Sequence, residues 1–170
     1  LRHYLALSDV SVHELDDYQG HSLTLLNMMG NPGTRTTKTF ASLLMVARAV
    51  HHIRRTGERI AIVTPSSANK ATALRDAVQR AVDCGLVTGD ELRIAVVVPG
   101  TARRKLWSSP LSQDTDRRAQ NPVITFDGPQ RASVKDLAMS FVDKFGAEAE
   151  SRTGYRIWYS LAIGNYKMAD

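Results

Sequence analysis

Ile60-Ala61-Ile62-Val63 runs straight into Thr64-Pro65-Ser66-Ser67-Ala68-Asn69, and a helical pattern begins at Lys70. An apolar run that breaks at proline and re-enters as a helix leaves backbone N–H groups unpaired at the turn. Those donors, with the positive end of the helix dipole, form a seat for an anionic group. Two small hydroxyls and one amide line that seat, so a ligand can approach the backbone closely. The same residues also read as a plain strand-to-helix loop with a Ser or Asn N-cap. The spacing by itself leaves both readings open.

Outward from this loop the chain has a βα rhythm. Upstream, Phe40, Leu43, Leu44, Ala47, Val50 and Ile53 fall on one helical face, and Gly57 is placed to end that helix. Downstream, residues 70–82 form a helix with Ala73, Leu74, Ala77, Val78, Ala81 and Val82 inward, closed by Gly85. Residues 94–98 form an apolar strand ended by Pro99-Gly100. A short helix follows at residues 102–107, then a polar stretch at 111–120 that reads as a mobile excursion or a frayed helix. A third strand spans residues 123–126. A helix over 134–145 has Val134, Leu137, Ala138, Phe141 and Val142 inward. A fourth strand spans 155–161. Strands separated by helices of this length give right-handed crossovers. The expected fold class is α/β, a parallel sheet of about four strands with helices on both faces, a Rossmann-like three-layer sandwich. Ligands of such sheets sit beyond the carboxyl ends of the strands, where residues 66–69, 99–100 and 128 lie.

Residues 1–30 read as an N-terminal extension packing on the core, and residues 31–170 as the α/β domain. Within the extension, Val10, Val12 and Leu15 outline a short amphipathic piece. Residues 16–20 form a turn, and residues 23–29 a buried strand ending at Gly30. No apolar run is long enough to span a membrane. The first residue is Leu1 and no leader pattern follows it, so the expectation is that the chain begins inside a longer product. The one cysteine, Cys84, excludes an internal disulfide framework and fits the cytoplasm; it reads as a small packing residue. His3, His13 and His21 lack the spacing of metal ligands.

The net charge of +5 gathers at Arg54-Arg55, Arg103-Arg104-Lys105 and Arg117-Arg118. No aromatic residues are interleaved for base stacking, so nucleic acid is not the expected partner. Lys38 follows the turn Gly30-Asn31-Pro32-Gly33 and a hydroxyl-rich stretch, Thr34-Arg35-Thr36-Thr37. It stands at the mouth of the first long helix, where the dipole disfavours a positive charge. Such a place promotes loss of the ammonium proton; it is equally the place of an ordinary loop lysine.

Taken in order, these motifs resemble the pyridoxal-phosphate enzymes of the tryptophan-synthase β type (fold type II), most closely the threonine synthase group. Residues 31–38, Asn-Pro-Gly-Thr-Arg-Thr-Thr-Lys, look like that family's Asn-Pro-Thr-Gly-Ser-x-Lys segment, which carries the Schiff-base lysine. Residues 64–69 look like its Thr-Ala-Ser-Ser-Gly-Asn loop. Val96-Val97-Val98-Pro99 followed by Lys105 resembles its next strand, and residues 160–166 faintly echo Asn-Ser-x-Asn-Pro-Tyr. The resemblance implies pyridoxal 5'-phosphate as cofactor, with Lys38 catalytic and cofactor-binding and Asn69 against the cofactor ring. It implies Ser66, Ser67 and Ala68 around the carboxylate of an amino-acid substrate, and β- or γ-elimination or replacement as the reaction.

Three departures stand out. One extra residue separates Asn31 from Lys38, Thr39 replaces an acidic residue, and Ala68 stands where the family usually has glycine. The glycine-rich phosphate cup and the group facing the pyridine nitrogen have no counterpart in this sequence. The expected partner is therefore a remaining domain or a second chain. Two other readings use the same residues: a non-catalytic Rossmann-like binding or partner-docking domain, and an anion- or nucleotide-binding domain built on the Ser67 loop.

Overall fold

The computed structural model describes Tyr4 and residues 9–31, 33–128, 130 and 132–162. The elements in chain order are β1 (Ser11–Tyr18), β2 (His21–Asn27), α1 (Lys38–Thr56), β3 (Arg59–Pro65), α2 (Asn69–Asp83), β4 (Leu92–Val98), a 3-10 helix (Gly100–Lys105), α3 (Pro110–Gln113), α4 (Thr115–Gln120), β5 (Val123–Thr125), α5 (Ser133–Thr153) and β6 (Tyr155–Tyr159). Four strands make one parallel sheet in the order β5-β4-β3-β6, flanked by helices. The expected α/β class and strand count are those observed. Pro32 of the predicted turn, His3 and residues 163–166 of the C-terminal echo lie outside the described residues.

The two central strands explain the apolar runs. Ile60 and Ile62 of β3, with Leu92, Ile94, Val96 and Val98 of β4, face a core built with α1, α2 and Tyr4. Val63 and Val97 point the other way and meet Val134 and Ala138 of α5. A strand buried on both faces shows no polar alternation, because water touches neither side. Burial is unequal. The α1–α2 face holds most of the fully buried side chains, each worth about 1.5–3 kcal/mol, whereas α5 is held by a much smaller cluster.

Helix α1 ends at Gly57, whose φ of 73° is left-handed and whose N–H donates to the Ile53 carbonyl at 2.8 Å. Glycine reaches this conformation without a Cβ penalty. Its buried face differs from the one predicted. Leu44 is 52% exposed, while Thr39, Ser42, Met45, Val46 and Ala49 are buried. Two hydroxyls can sit inside because each has a backbone acceptor. Thr39 Oγ1 donates to the Thr36 carbonyl at 2.8 Å and Ser42 Oγ to the Lys38 carbonyl at 2.7 Å. A reading by hydrophobicity alone places these residues outside.

Helix α5 is longer than predicted, and the inward placement of Leu137 and Phe141 is overturned. Both are exposed, and with Phe145 they form an outward stripe at spacing four. The sheet meets only one narrow face, through Val134 and Ala138, with Val142 partly buried against it. Of the two readings of residues 111–120, the helical one holds, as two short helices, α3 and α4, rather than a mobile excursion. The short helix near Ala102 is a 3-10 helix. Cys84 is exposed, not packed.

The N-terminal region departs most. Residues 11–27 form an antiparallel hairpin turning at Gln19-Gly20, and β2 is exposed along nearly its whole length rather than buried. Val12, Leu15, Leu25 and Leu26 all face outward. Asn31, fully buried, ties the hairpin's base to the α1 loop. Its Oδ1 accepts from the Asp9 N–H at 3.1 Å, and its Nδ2 donates to the Met28 carbonyl at 2.9 Å.

Candidate functional site

The loop that follows β3 is built by Ser66. Its N–H donates to the Val97 carbonyl at 2.9 Å, which extends the β3–β4 ladder one step. Its Oγ then accepts from the Ala68 N–H at 3.1 Å and the Ala71 N–H at 3.0 Å. One buried hydroxyl thus satisfies two donors at the start of α2, the work of an N-cap done from two residues upstream. Ser67 and Asn69 are exposed beside it, and their amides have no partner among the described residues. The outward rim of the seat therefore consists of the Ser67 and Asn69 amides and side chains, while Ser66 braces it from within.

Ala68 is the unusual residue. Its φ is 132° and ψ is −55°, a region that favours glycine, and its methyl is almost fully buried. A side chain held in such a region costs about 1–3 kcal/mol and persists only where its surroundings over-determine it. The Ser66 hydroxyl on one side and the Ala68 carbonyl, which accepts from the Thr72 N–H at 2.9 Å, supply that determination.

The rest of the carboxyl edge is held by cross-strand bonds. Ser160 follows β6; its N–H donates to the Val63 carbonyl at 2.9 Å and its Oγ to Thr64 Oγ1 at 2.7 Å, both groups buried. Gly100 after β4 donates to Asp127 Oδ1 at 3.0 Å, and a side chain there would collide with that carboxylate.

Lys38 is the first residue of α1 and is partly buried. The preceding loop is braced by threonines. Thr34 Oγ1 bonds Thr39 Oγ1, and the Lys38 N–H donates to Thr36 Oγ1 at 3.3 Å. The turn before it closes through the Thr34 and Arg35 amides on the Asn31 carbonyl. Only residues 57–58 join α1 to β3, so α1 runs antiparallel to the strand over roughly 28 Å. That length carries Lys38 back toward the carboxyl edge. Helix α2 leaves that edge on the same face of the sheet, and the two helices pack together. Packed helix axes stand about 8–10 Å apart. The fold thus sends the first residues of α1 and α2, Lys38 and Asn69, toward the same rim.

Arg75, Asp76, Gln79 and Arg80, buried or partly buried on α2, have no counterpart in the hydrophobic pattern. Burial holds the Asp76 carboxyl above the usual carboxylate range, against the pull of Arg80, whose Nε lies 2.7 Å from Oδ2. A raised folded value means the native state holds the proton more tightly than the unfolded chain does. The contribution is fully present below the unfolded value of about 4 and is lost as pH rises through the folded one. Wild type is therefore expected to lose ground to Asp76→Asn in urea midpoint as pH rises from about 4. A constant difference across that range would show that Asp76 titrates alike folded and unfolded.

A family model described as a family of unknown function, DUF6002, matches residues 1–170. The chain belongs to the DUF6002 family. No curated protein matches the sequence. Among solved structures, the DUF6002 chain is similar to a pyridoxal-phosphate-bound threonine synthase from Brucella melitensis, with a TM-score of 0.62 at 15% identity over 98% of this chain and 32% of that one. It is similar to an O-ureido-L-serine synthase, with a TM-score of 0.53 at 20% identity over 86% of this chain and 42% of the other. A cysteine synthase from Entamoeba histolytica gives 0.53 at 15% identity, over 92% and 41%. At these identities the likeness carries the fold, that of the fold type II pyridoxal-phosphate enzymes. The DUF6002 chain spans about a third to two fifths of the length of these structures. Among the described residues no helix is long and apolar enough to cross a membrane.

Proposed function

We propose that this chain is the small-domain portion of a pyridoxal-phosphate-dependent enzyme, most like threonine synthase, acting on an amino acid by β- or γ-elimination or replacement. One observation carries the reading. The loop at residues 66–69 keeps a glycine-type bend at Ala68, the position where the resembling family has glycine, and so turns the Ser67 and Asn69 amides outward at the strand end. A chain with no use for that bend would have little reason to retain its cost.

The residues present fit the cofactor in part. Lys38 supplies an amine at a helix mouth, and Asn69 an exposed amide side chain at the neighbouring helix start. When bound, pyridoxal phosphate withdraws electrons from the substrate's α-carbon, so that its proton leaves more readily. In this reading Lys38 holds the cofactor and then moves a proton at that carbon. Asn69 orients the ring. The outward amides with Ser67 seat the substrate carboxylate, and Ser66 and Ala68 shape the backbone that presents them.

Residues 1–30 form the extension and residues 31–170 the domain. A remaining domain or a second chain supplies the phosphate site. The outward stripe Leu137, Phe141 and Phe145 and the apolar hairpin are surfaces that such a partner would cover. An unpaired, exposed Cys84 accords with the cytoplasm.

Borohydride reduction after incubation with pyridoxal phosphate is expected to leave a pyridoxyl mass on the peptide containing Lys38, and none in Lys38→Ala. Equal labelling of the two proteins would sink the catalytic reading. It would favour a non-catalytic binding or docking domain, for which the inward hydroxyl of Ser66, committed to two amides, already speaks.

A further inference from the structure

Two cavities adjoin along α2, and neither Lys38 nor Asn69 lines them. The larger, about 570 Å3, lies between α2, the 3-10 helix and the α3–α4 crossover. The smaller, about 250 Å3, lies between α2 and the loop at Gly33. Arg75 and Trp107 line both and form the waist between them. The combined space is that of a small-molecule site.

The chambers differ in chemistry. Arg75, Arg103 and Arg118 line the larger one, together with Ser108, Ser112 and Thr115, and among the described residues no carboxylate lines it. Arg75 is 3% exposed; it donates to the Asn121 carbonyl at 2.7 Å and to Ser112 Oγ at 3.2 Å. Those bonds fix its plane and use two of the five N–H donors of a guanidinium. Neither Arg103 nor Arg118 has an ion-pair partner among the described residues. A buried, pre-oriented arginine with two unpaired ones across a cavity is a fork for an oxyanion. In the smaller chamber the demand is opposite. Thr72 Oγ1 and Gln79 Oε1 are buried without a partner among the described residues, beside the Asp76 carboxyl. Leaving such atoms unbonded costs about 1–3 kcal/mol each, and a ligand offering N–H or O–H groups would remove that cost. Trp107, with Arg35 stacked 5.9 Å from its ring centroid, is the flat wall at the waist.

We propose that these chambers bind one phosphorylated nucleoside. Its phosphate lies among the arginines, its ring lies against Trp107, and its hydrogen-bond donors meet Gln79 and Thr72. Neither Lys38 nor Asn69 is part of its lining, and on the reading proposed above its occupant would act on the enzyme as a regulator or second ligand.

The test follows Trp107 emission in a Trp158→Phe background, which leaves one tryptophan. Adenosine monophosphate is expected to change that emission saturably, and Arg103→Ala and Arg118→Ala are each expected to weaken binding about tenfold or more. Gln79→Leu weakens the nucleotide but leaves inorganic phosphate unaffected. Lys38→Ala leaves the response intact, so this proposal and the cofactor reading fail separately. No saturable change with the nucleotide, or a response that neither arginine substitution alters, overturns the proposal. So does inorganic phosphate binding as tightly as the nucleotide, which would mark a bare anion site.

Discussion

Asn121→Ala is expected to lower the stability of the fold by about 3 kcal/mol, equivalent to a fall in melting temperature of about 10 °C. Strand β5 is only three residues long and pairs with β4 from Val96 onward, which leaves the Ile94 N–H without a strand beside it. Asn121 stands in for the absent residue. Its Oδ1 accepts from the Ile94 N–H at 2.9 Å in the core, and its Nδ2 donates to the Arg117 carbonyl at 2.9 Å at the end of α4. Its own carbonyl accepts from buried Arg75. Alanine keeps the last bond and loses the other two. A buried N–H left without a partner costs about 1–3 kcal/mol and an ordinary side-chain bond about 1 kcal/mol, so the orphaned Ile94 amide dominates. Thermal melts give the size of the effect, and hydrogen exchange locates it. The Ile94 amide should exchange markedly faster in the variant. Unchanged protection at Ile94 would show that another acceptor takes over and would reduce the expected loss to that of the helix-end bond.

At Ala68 the two substitutions have opposite signs. Ala68→Gly removes the Cβ from a backbone at φ 132°. The relief of about 1–3 kcal/mol is offset by about 0.5–1 kcal/mol for the added freedom of glycine in the unfolded chain and by the loss of one buried methyl, about 0.8 kcal/mol. With mid-range values for each term, a net gain of about 0.5 kcal/mol is expected. Ala68→Val adds a branched Cβ in the same conformation at a site that is 1% exposed, so strain and overpacking add. A loss of about 3 kcal/mol or more is expected. Urea unfolding measures both. Loss of stability in the glycine variant would mean that the buried methyl, not the backbone, governs this turn.

Legibility in the sequence followed the physics of burial. The central strands were readable because a run such as Ile60-Ala61-Ile62-Val63 has one meaning when both faces are covered. Gly57 and Gly85 were readable as stops because each takes a positive φ. The turn at the strand's carboxyl end is legible, although Thr64 and Pro65 belong to β3 rather than to the loop; the inward turn of Ser66 and the bend at Ala68 are not visible, since neither leaves a trace in composition. Arg75 and Gln79 escaped notice because a buried polar residue is written in the sequence like an exposed one. Only the partners, Asn121 and Ser112 for Arg75, reveal the difference. Leu137 and Phe141 misled in the reverse sense. Apolar spacing predicts a covered face, but the sheet beneath α5 is narrow enough that Val134, Ala138 and Val142 exhaust it.

The hairpin at residues 11–27 carries a consequence for handling the molecule. Its two strands bond only to each other among the described residues, so each has an outer margin of amides and carbonyls with no neighbouring strand. Leucines and valines flank those margins. Two strands alone hold together weakly in water, and such a margin is a template for any extended peptide that meets it. Concentrated solutions should therefore self-associate through this ribbon before the sheet itself loosens, and a protease should nick it while leaving β3 and β4 whole.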